Sequence, residues 1–456
     1  MSQRTVKPGR QALLALGLSL LGIQLAGGAG AADDKAQEIF RSARAYTVRI
    51  RTQITTPFFE DERGSMEGAG FLIDSQRGWV VTNAHVVGRS PSTVSVAFAD
   101  SPYRPAHKVY VDPYADIAII EVDALDRWHP VASLACGEVL EVGEPIGAFG
   151  HPLGLRFTGT RGIVSGRTDK FGPDFIQIDA TVDHGNSGGP VLSLRDGQVV
   201  GIATAGATGS KADRLNFATP IRDVCRIADL LRAGTSPSPP HMAITLLRDD
   251  DDRLTLQVGL TNDARRWPLE PGDRIVGLKG GDSLATVGEL VSALRGHDGS
   301  VPLEVVRNGR KLVVDVTPEP QPLLLDRLGL CVDGALIATA NFEDGGTLRD
   351  PAPLVVHSIA PGSAAEMAGL QRNDILRTVD GMRFNDVDHL ARYLNRRSTR
   401  QPITVVLSRW SEHSDRIFEY YLHELPGEDI QPVGPLPELS AATQSAGHGR
   451  AAARDK

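Results

Sequence analysis

At 456 residues the chain exceeds what one ordinary core fills, so roughly two to four domains are expected. Apolar residues at 41% and charged residues at 23% are those of a soluble globular protein, while 48 Gly and 29 Pro speak for many turns between short strands. The net charge of −8 argues against nucleic acid as the partner.

In chain order, Arg4, Lys7 and Arg10 precede an apolar run from Ala12 to Ala26 and then the small residues Ala29-Gly30-Ala31. That is the pattern of a secretory signal peptide, cleaved before Ala32, and the run is shorter than the ~20 residues that span a bilayer. Between residues 46 and 235, short alternating runs such as Val94, Val96 and Phe98 are separated by Gly, Pro and Asp turns, which predicts an all-β domain. A short helix over Val224 to Leu231 and a stiff linker, Thr235-Ser-Pro-Ser-Pro-Pro240, close it.

An internal repeat follows. Val287, Leu290, Val291 and Leu294 carry helical spacing, and Val387, Leu390, Ala391 and Leu394 reproduce it a hundred residues later. Upstream, Pro271-Gly-Asp-Arg-Ile275 stands beside Arg372-Asn-Asp-Ile-Leu376. Thr286 with Glu289 forms a capping box and Asn385 with Asp388 resembles one, so two copies of a small α+β module are predicted. The acidic run Asp249 to Asp252 lacks the Gly and Glu of a calcium loop and reads as a hairpin turn. Cys136, Cys225 and Cys331, odd in number and widely spaced, match neither a disulfide framework nor a zinc cluster and read as structural. Residues 426–456, rich in Pro, Gly, Ala and Ser, read as a disordered tail.

The chemistry centres on Gly185-Asn-Ser-Gly-Gly-Pro190, one serine set among glycines so that a carbonyl can approach while backbone N–H groups point inward. Taken alone, the motif fits a trypsin-like loop, the elbow of an α/β-hydrolase, or a plain glycine-rich turn. Chain order separates these, because α/β-hydrolases run Ser, acid, His, whereas trypsin-like enzymes run His, Asp, Ser. Here His85 ends a strand-like segment, Asp116 opens an apolar one, and both precede Ser187. A lone His or Asp at a strand end is most often a turn former; three in this order and context point to a catalytic triad. No βαβ alternation surrounds Ser187, which disfavours a lipase or esterase.

Thr82-Asn-Ala-His85-Val-Val, Asp116-Ile-Ala, Gly150-His-Pro-Leu-Gly154, Gly162-Ile-Val-Ser165 and Gln177-Ile-Asp-Ala180, together with the serine motif, resemble the HtrA (Deg) family of trypsin-like proteases over residues 38 to 425. The resemblance implies a mainly β architecture: a trypsin-like double β-barrel over 32–235 and two small α+β PDZ domains, over 241–320 and 321–425. It implies a periplasmic serine endopeptidase of unfolded polypeptides that needs no metal or organic cofactor. In that chemistry His85 takes the proton of Ser187, Asp116 orients His85, and backbone N–H groups of Gly185 and Ser187 hold the oxyanion.

The same resemblance puts Val182, Thr204, Ala205 and Gly206 in the substrate pocket. With Thr181 six residues before the serine, where trypsin carries an acid, small or medium aliphatic side chains are expected there rather than basic ones. In the second repeat, Leu328-Gly329-Leu330 stands where PDZ domains hold the carboxylate of a peptide C-terminus, bound by strand addition. The first repeat departs from the pattern: its candidate loop, Met242-Ala243-Ile244, lacks the glycine, so a spacer or assembly surface stands beside peptide binding as its role. The family also implies a trimer or a multiple of trimers, while the short loop between Arg51 and Gly68 argues against a large cage built through an insertion there. A non-proteolytic chaperone or peptide-binding scaffold is the competing expectation.

Overall fold

The computed structural model of the protein describes residues 34–434, apart from 124, 126–128, 138–139, 152–156, 169–173, 184, 205–215, 341–352, 398–400 and 411–417. The expected leader, and the tail beyond 434, lie outside the described residues.

Runs rich in Val and Ile favour strands whose inner faces are buried. Six of them, β1 (Thr47–Ile54), β2 (Gly64–Asp74), β3 (Trp79–Asn83), β4 (Thr93–Ala97), β5 (Arg104–Val111) and β6 (Ile117–Val122), close into a barrel in the order β1-β2-β3-β6-β5-β4. A second barrel closes from β7 (Pro145–Gly150), β8 (Thr158–Thr168), β9 (Phe175–Ile178), β10 (Pro190–Ser193), β11 (Val199–Thr204) and β12 (Asn216–Pro220), in the order β10-β11-β12-β9-β8-β7. Closure leaves no strand edge open to another chain. One continuous apolar core runs through both barrels, and a helix α1 over 34–46 joins it through Ile39 and Ala43. Phe40 of α1 lies over Gly147 and Gly159, where a Cβ would meet its ring, and stacks on Phe149 with centroids 5.7 Å apart. A short helix α2 (Ala84–Val87) leaves the first barrel, and α3 (Ile221–Arg232) follows the second.

The structure corrects the reading of the cysteines. Cys136 and Cys225 form a disulfide across 89 residues, because α3 folds back on the second barrel; Cys331 is free. In the chain-entropy picture, closing a loop of that length stabilises on the order of 4 kcal/mol. The stretch from Thr235 to Pro240 is also no free linker: Ser238 is buried, and Pro237 O accepts from Tyr110 Oη and Arg295 Nη1.

Beyond it, β13 (Pro240–His241) pairs with β19 (Glu319–Pro320) and brackets a first module. Its sheet runs β14-β15-β16-β17-β18, from β14 (Ile244–Arg248), β15 (Leu254–Thr261), β16 (Arg274–Leu278), β17 (Val301–Arg307) and β18 (Arg310–Val316), with helix α4 (Val287–Leu294). Asp249 to Asp252 form the β14–β15 hairpin turn, where Asp249 Oδ1 accepts from the N–H groups of Asp251 and Arg253.

The second module is a seven-stranded sheet, β25-β24-β23-β22-β21-β20-β26. It comprises β20 (Gly329–Val332), β21 (Ala335–Thr339), β22 (Leu354–Ile359), helix α5 (Ala364–Met367), β23 (Ile375–Val379), helix α6 (Val387–Arg396), β24 (Ile403–Trp410), β25 (Phe418–Leu425) and β26 (Ile430–Val433). The two modules repeat one another atom for atom at a buried carboxylate. Asp273 accepts from Arg307 Nε and Nη2 and from Glu270 N–H, as Asp374 does from Arg409 Nε and Nη2 and from Gln371 N–H. Val258 N–H and Val356 N–H donate to the carbonyls of those same two aspartates.

The Thr286–Glu289 capping box is formed. The cap of α6 is instead Asp386, whose Oδ1 accepts from His389 N–H at 2.6 Å, so the expected Asn385 sits one residue too early. The expected tail is also corrected in its first part, since β26 adds to the edge of β20 and packs Ile430 and Val433 against the core.

The second module touches the protease-like barrels through the loop between β1 and β2. Phe58 enters its core, Glu60 pairs with Arg327 at 2.5 Å, and Arg372 donates to Phe59 O. Phe59 N–H donates to His357 Nδ1, and His357 Nε2–H donates to Thr339 O. Burial pushes the His357 pKa down to about 4, and Arg327 and Arg372 add to this while Glu60 opposes it. Between its ordinary value of 6.5 and that folded value the unfolded chain binds more protons, so stability drops as the pH is lowered through this window, by up to ~3 kcal/mol. Thermal melts from pH 7 to 4 should show this decline, and His357→Gln should flatten it.

Candidate active site

His85 and Asp116 both come from the first barrel. β3 runs beside β6 so that Asn83 faces Ile117 across the ladder, which puts the start of α2 against the residue that opens β6. Asp116 Oδ1 accepts from His85 N–H at 2.9 Å, and Oδ2 lies 2.7 Å from His85 Nδ1. Both carboxylate oxygens are therefore committed to one histidine. The backbone of Asp116 is left-handed, with φ of 53°, a conformation that Asp tolerates and a bulky side chain does not. Its carbonyl is held by Ala84 N–H and by Asn83 Nδ2.

Ser187 comes from the second barrel, on the turn that leads into β10. The turn is short and tight: Asn186 N–H donates to Asp183 O, Gly189 N–H to Asn186 O and Gly188 N–H to Ala203 O. Gly185 and Gly188 take φ of 102° and 87°, which only glycine adopts freely. The turn is pinned to the first barrel where Ala69 N–H donates to Ser187 O at 2.9 Å. Gly68 brings the two sources together, since a Cβ on it would lie 2.7 Å from Val86 Cγ1, next to His85, and 3.0 Å from Ser187 O. Ser187 is buried, and the His85 side chain is 46% exposed, so one face of the site opens to solvent.

The pocket residues fare unequally. Val182 is buried beside the turn, and Thr204 Oγ1 accepts from Asn83 Nδ2 at 3.2 Å, so its hydroxyl ties the barrels together behind Asp116. Ala205 and Gly206 lie outside the described residues. Asn83, which bridges Asp116 O and Thr204 Oγ1, escaped the sequence reading although it stands inside the Thr82-Asn-Ala-His85 segment. Its contribution depends on a partner from the other barrel, and no local pattern announces that.

In the second module, Gly329 and Leu330 are not a free loop. They belong to β20, hydrogen-bonded to β21 on one side and to β26 on the other, and Leu330 is fully buried. Leu328 lines a cavity of ≈ 240 Å³ with Phe58, Arg327, Ala338, Thr339 and Val387.

The glycine at 188 yields a sharp test, because a Cβ there would run into Ala69 O and Thr82 Oγ1. Gly188→Ala should lose hydrolytic activity by on the order of 100-fold, through displacement of the turn, while leaving the melting temperature within several degrees. Activity assays beside thermal melts check it.

Residues 68–202 match the family model described as "Trypsin-like peptidase domain", and residues 355–409 match that of a PDZ domain. The chain is 30% identical over 370 residues to a probable periplasmic serine endoprotease DegP-like of Chlamydia pneumoniae, covering 76% of this chain and 74% of that one. It is 31% identical over 366 residues to the protein of the same description from Marinomonas sp., covering 73% and 74%. To the periplasmic pH-dependent serine endoprotease DegQ of Escherichia coli it is 28% identical over 350 residues, covering 72% and 75%. Among solved structures, the HtrA-type protease AlgW with tripeptide is alike in fold, with a TM-score of 0.50 at 22% identity over 62% of this chain and 97% of that one.

Proposed function

The chain belongs to the DegP-like family of serine endoproteases, and from that premise we propose that it cuts unfolded polypeptides with Ser187 as nucleophile, His85 as base and Asp116 as the group that orients the base. The observation that carries this reading is the double grip of Asp116 on His85, one oxygen on the backbone N–H and one on Nδ1. With Nδ1–H donated to the carboxylate, Nε2 is the nitrogen that takes the Ser187 proton as Oγ attacks the peptide carbonyl. The imidazolium then protonates the leaving amine, and water hydrolyses the acyl-enzyme by the same path in reverse. Backbone N–H groups of Gly185 and Ser187 hold the negative oxygen, and loss of one such donor costs ~10²- to 10³-fold in rate.

Ser187→Ala should lower degradation of denatured casein at least ~10³-fold and abolish labelling by a fluorophosphonate. If wild type and variant alike leave casein whole, the chain is a scaffold and not a protease; label on any other residue removes the triad.

The periplasmic assignment rests on the relatives' names, on the leader-like start, and on the Cys136–Cys225 disulfide, which suits an oxidising compartment. Homo-oligomerisation, as a trimer or a multiple of trimers, belongs to the same reading. So do domain limits of 1–31, 32–235 and 241–320, a second PDZ domain over 321–425 to which β26 adds, and a pocket for small aliphatic side chains formed by Val182, Thr204, Ala205 and Gly206.

Both repeats are PDZ folds in this reading, supported by the matched Asp273–Arg307 and Asp374–Arg409 pairs. Peptide C-termini dock on the second by strand addition, which requires an open edge. The outer edge of β20 is taken by β26, anchored where the Asp333 carboxylate accepts from the N–H groups of Gly427, Glu428 and Asp429. Binding at that edge therefore requires β26 to leave. A chain ending at Asp429 should bind C-terminal peptides at least ~10-fold more tightly than the full chain, as measured by fluorescence anisotropy. Equal affinities would place the peptide elsewhere.

A further inference from the structure

Asp116 can grip His85 only if the turn before β6 is held, and that turn is held from outside its own domain. Asp112 Oδ1 accepts from the N–H groups of Tyr114 and Ala115, at 2.9 and 2.6 Å, which fixes the two residues directly before Asp116. Asp112 N–H donates to Ile117 O on the far side of Asp116, so Asp112 clasps the turn at both ends. Its other oxygen, Oδ2, accepts from Tyr110 Oη at 2.7 Å and from Arg295 Nη1 at 2.6 Å. Asp112 is fully buried and Arg295 is 1% exposed. Arg295 is the residue that ends α4, in the first PDZ-like module, and its own carbonyl accepts from Arg226 Nη2 of α3.

We propose that Arg295 is a positioning residue for catalysis: through Asp112 the first PDZ-like module holds the turn that places Asp116 against His85. A carboxylate left alone in this apolar interior would lose hydration without a counter-charge. Without the guanidinium, Asp112 takes up a proton or turns toward water, and either change weakens its hold on the Tyr114 and Ala115 N–H groups. Asp116, in a left-handed conformation that the surroundings must enforce, is then free to relax. Other charged groups around this point are Asp223, whose pKa burial raises, Asp174 and Arg226; Tyr114 is half-buried among them, and Arg222 lies close to Asp223. The inference rests on the triad proposed above and gives the otherwise unexplained first module a role at the active site.

The experiment compares Arg295→Met, Arg295→Lys, Asp112→Asn and Arg222→Met with wild type on a peptide substrate. Arg222→Met breaks the Arg222–Glu289 pair at 3.0 Å, which joins the same two domains without touching Asp112, and so serves as a docking control. Arg295→Met should lower kcat on the order of 10- to 100-fold with KM within about twofold. Arg295→Lys should recover part of the loss, and Arg295→Met combined with Asp112→Asn should lose no more than the worse single variant.

Arg295→Met with wild-type kcat overturns the proposal. So does Arg222→Met with the same kcat loss at unchanged KM, which would make docking the cause. If Arg295→Met does not fold, Asp112→Asn with wild-type kcat overturns it. Ser187→Ala run in parallel separates the two readings: an active Ser187→Ala removes the triad itself, whereas an inactive one beside an unaffected Arg295→Met removes only the positioning role.

Discussion

The site exists only where the two barrels touch, and that seam is the constraint on which everything else depends. His85 and Asp116 stand on one barrel and Ser187 on the other, joined by a few short polar links. Ala69 N–H reaches Ser187 O, and Asn83 Nδ2 reaches Thr204 Oγ1. Each link spans two closed sheets that are otherwise complete in their own hydrogen bonding. Glycine makes the approach feasible, since Gly68 and Gly188 stand where a side chain would push the barrels apart. The apolar core continues across the seam, so the barrels cannot slide without exposing buried Val and Ile.

Buried carboxylates do much of the positioning elsewhere. Asp112, Asp273, Asp333 and Asp374 are all buried, and each accepts N–H groups of a nearby turn. The side chain thereby supplies acceptors that a turn's own backbone cannot. Three of the four also pair with an arginine, Arg295, Arg307 or Arg409, which offsets the cost of taking the charge out of water. For Asp273, the hydrogen bonds from Arg307 hold the carboxyl below the usual carboxylate range. Such a pair adds little to net stability but makes any other arrangement of the turn costly, and specificity of geometry is what a catalytic site needs.

Much of the site was legible in the sequence. The order of His85, Asp116 and Ser187 separated a two-barrel protease from an α/β-hydrolase, and the glycines around Ser187 announced a turn with positive φ. The repeat was legible from helical spacing at Val287 and Val387 and from the Asp273 and Asp374 segments. Three features were not. The Cys136–Cys225 pairing depends on α3 returning to the barrel, the role of Thr204 on a partner 121 residues away, and the β20–β26 pairing on a segment whose composition reads as disordered. Each is a contact between distant residues with no local signature of its own.

What the sequence by itself determined is everything set by neighbours along the chain: strand alternation, the Thr286 capping box, the Asp-rich hairpin turn and the order of His85, Asp116 and Ser187. Only the tertiary structure decided which edges are covered and which charges meet. Leu328, Gly329 and Leu330 read as an open carboxylate site, yet the outer edge of β20 is covered by β26, and Arg295 reads as an ordinary helix end until it is found against Asp112. The reason is physical: a strand edge or a charge is locally satisfied by water, and only packing removes the water and requires a particular partner in its place.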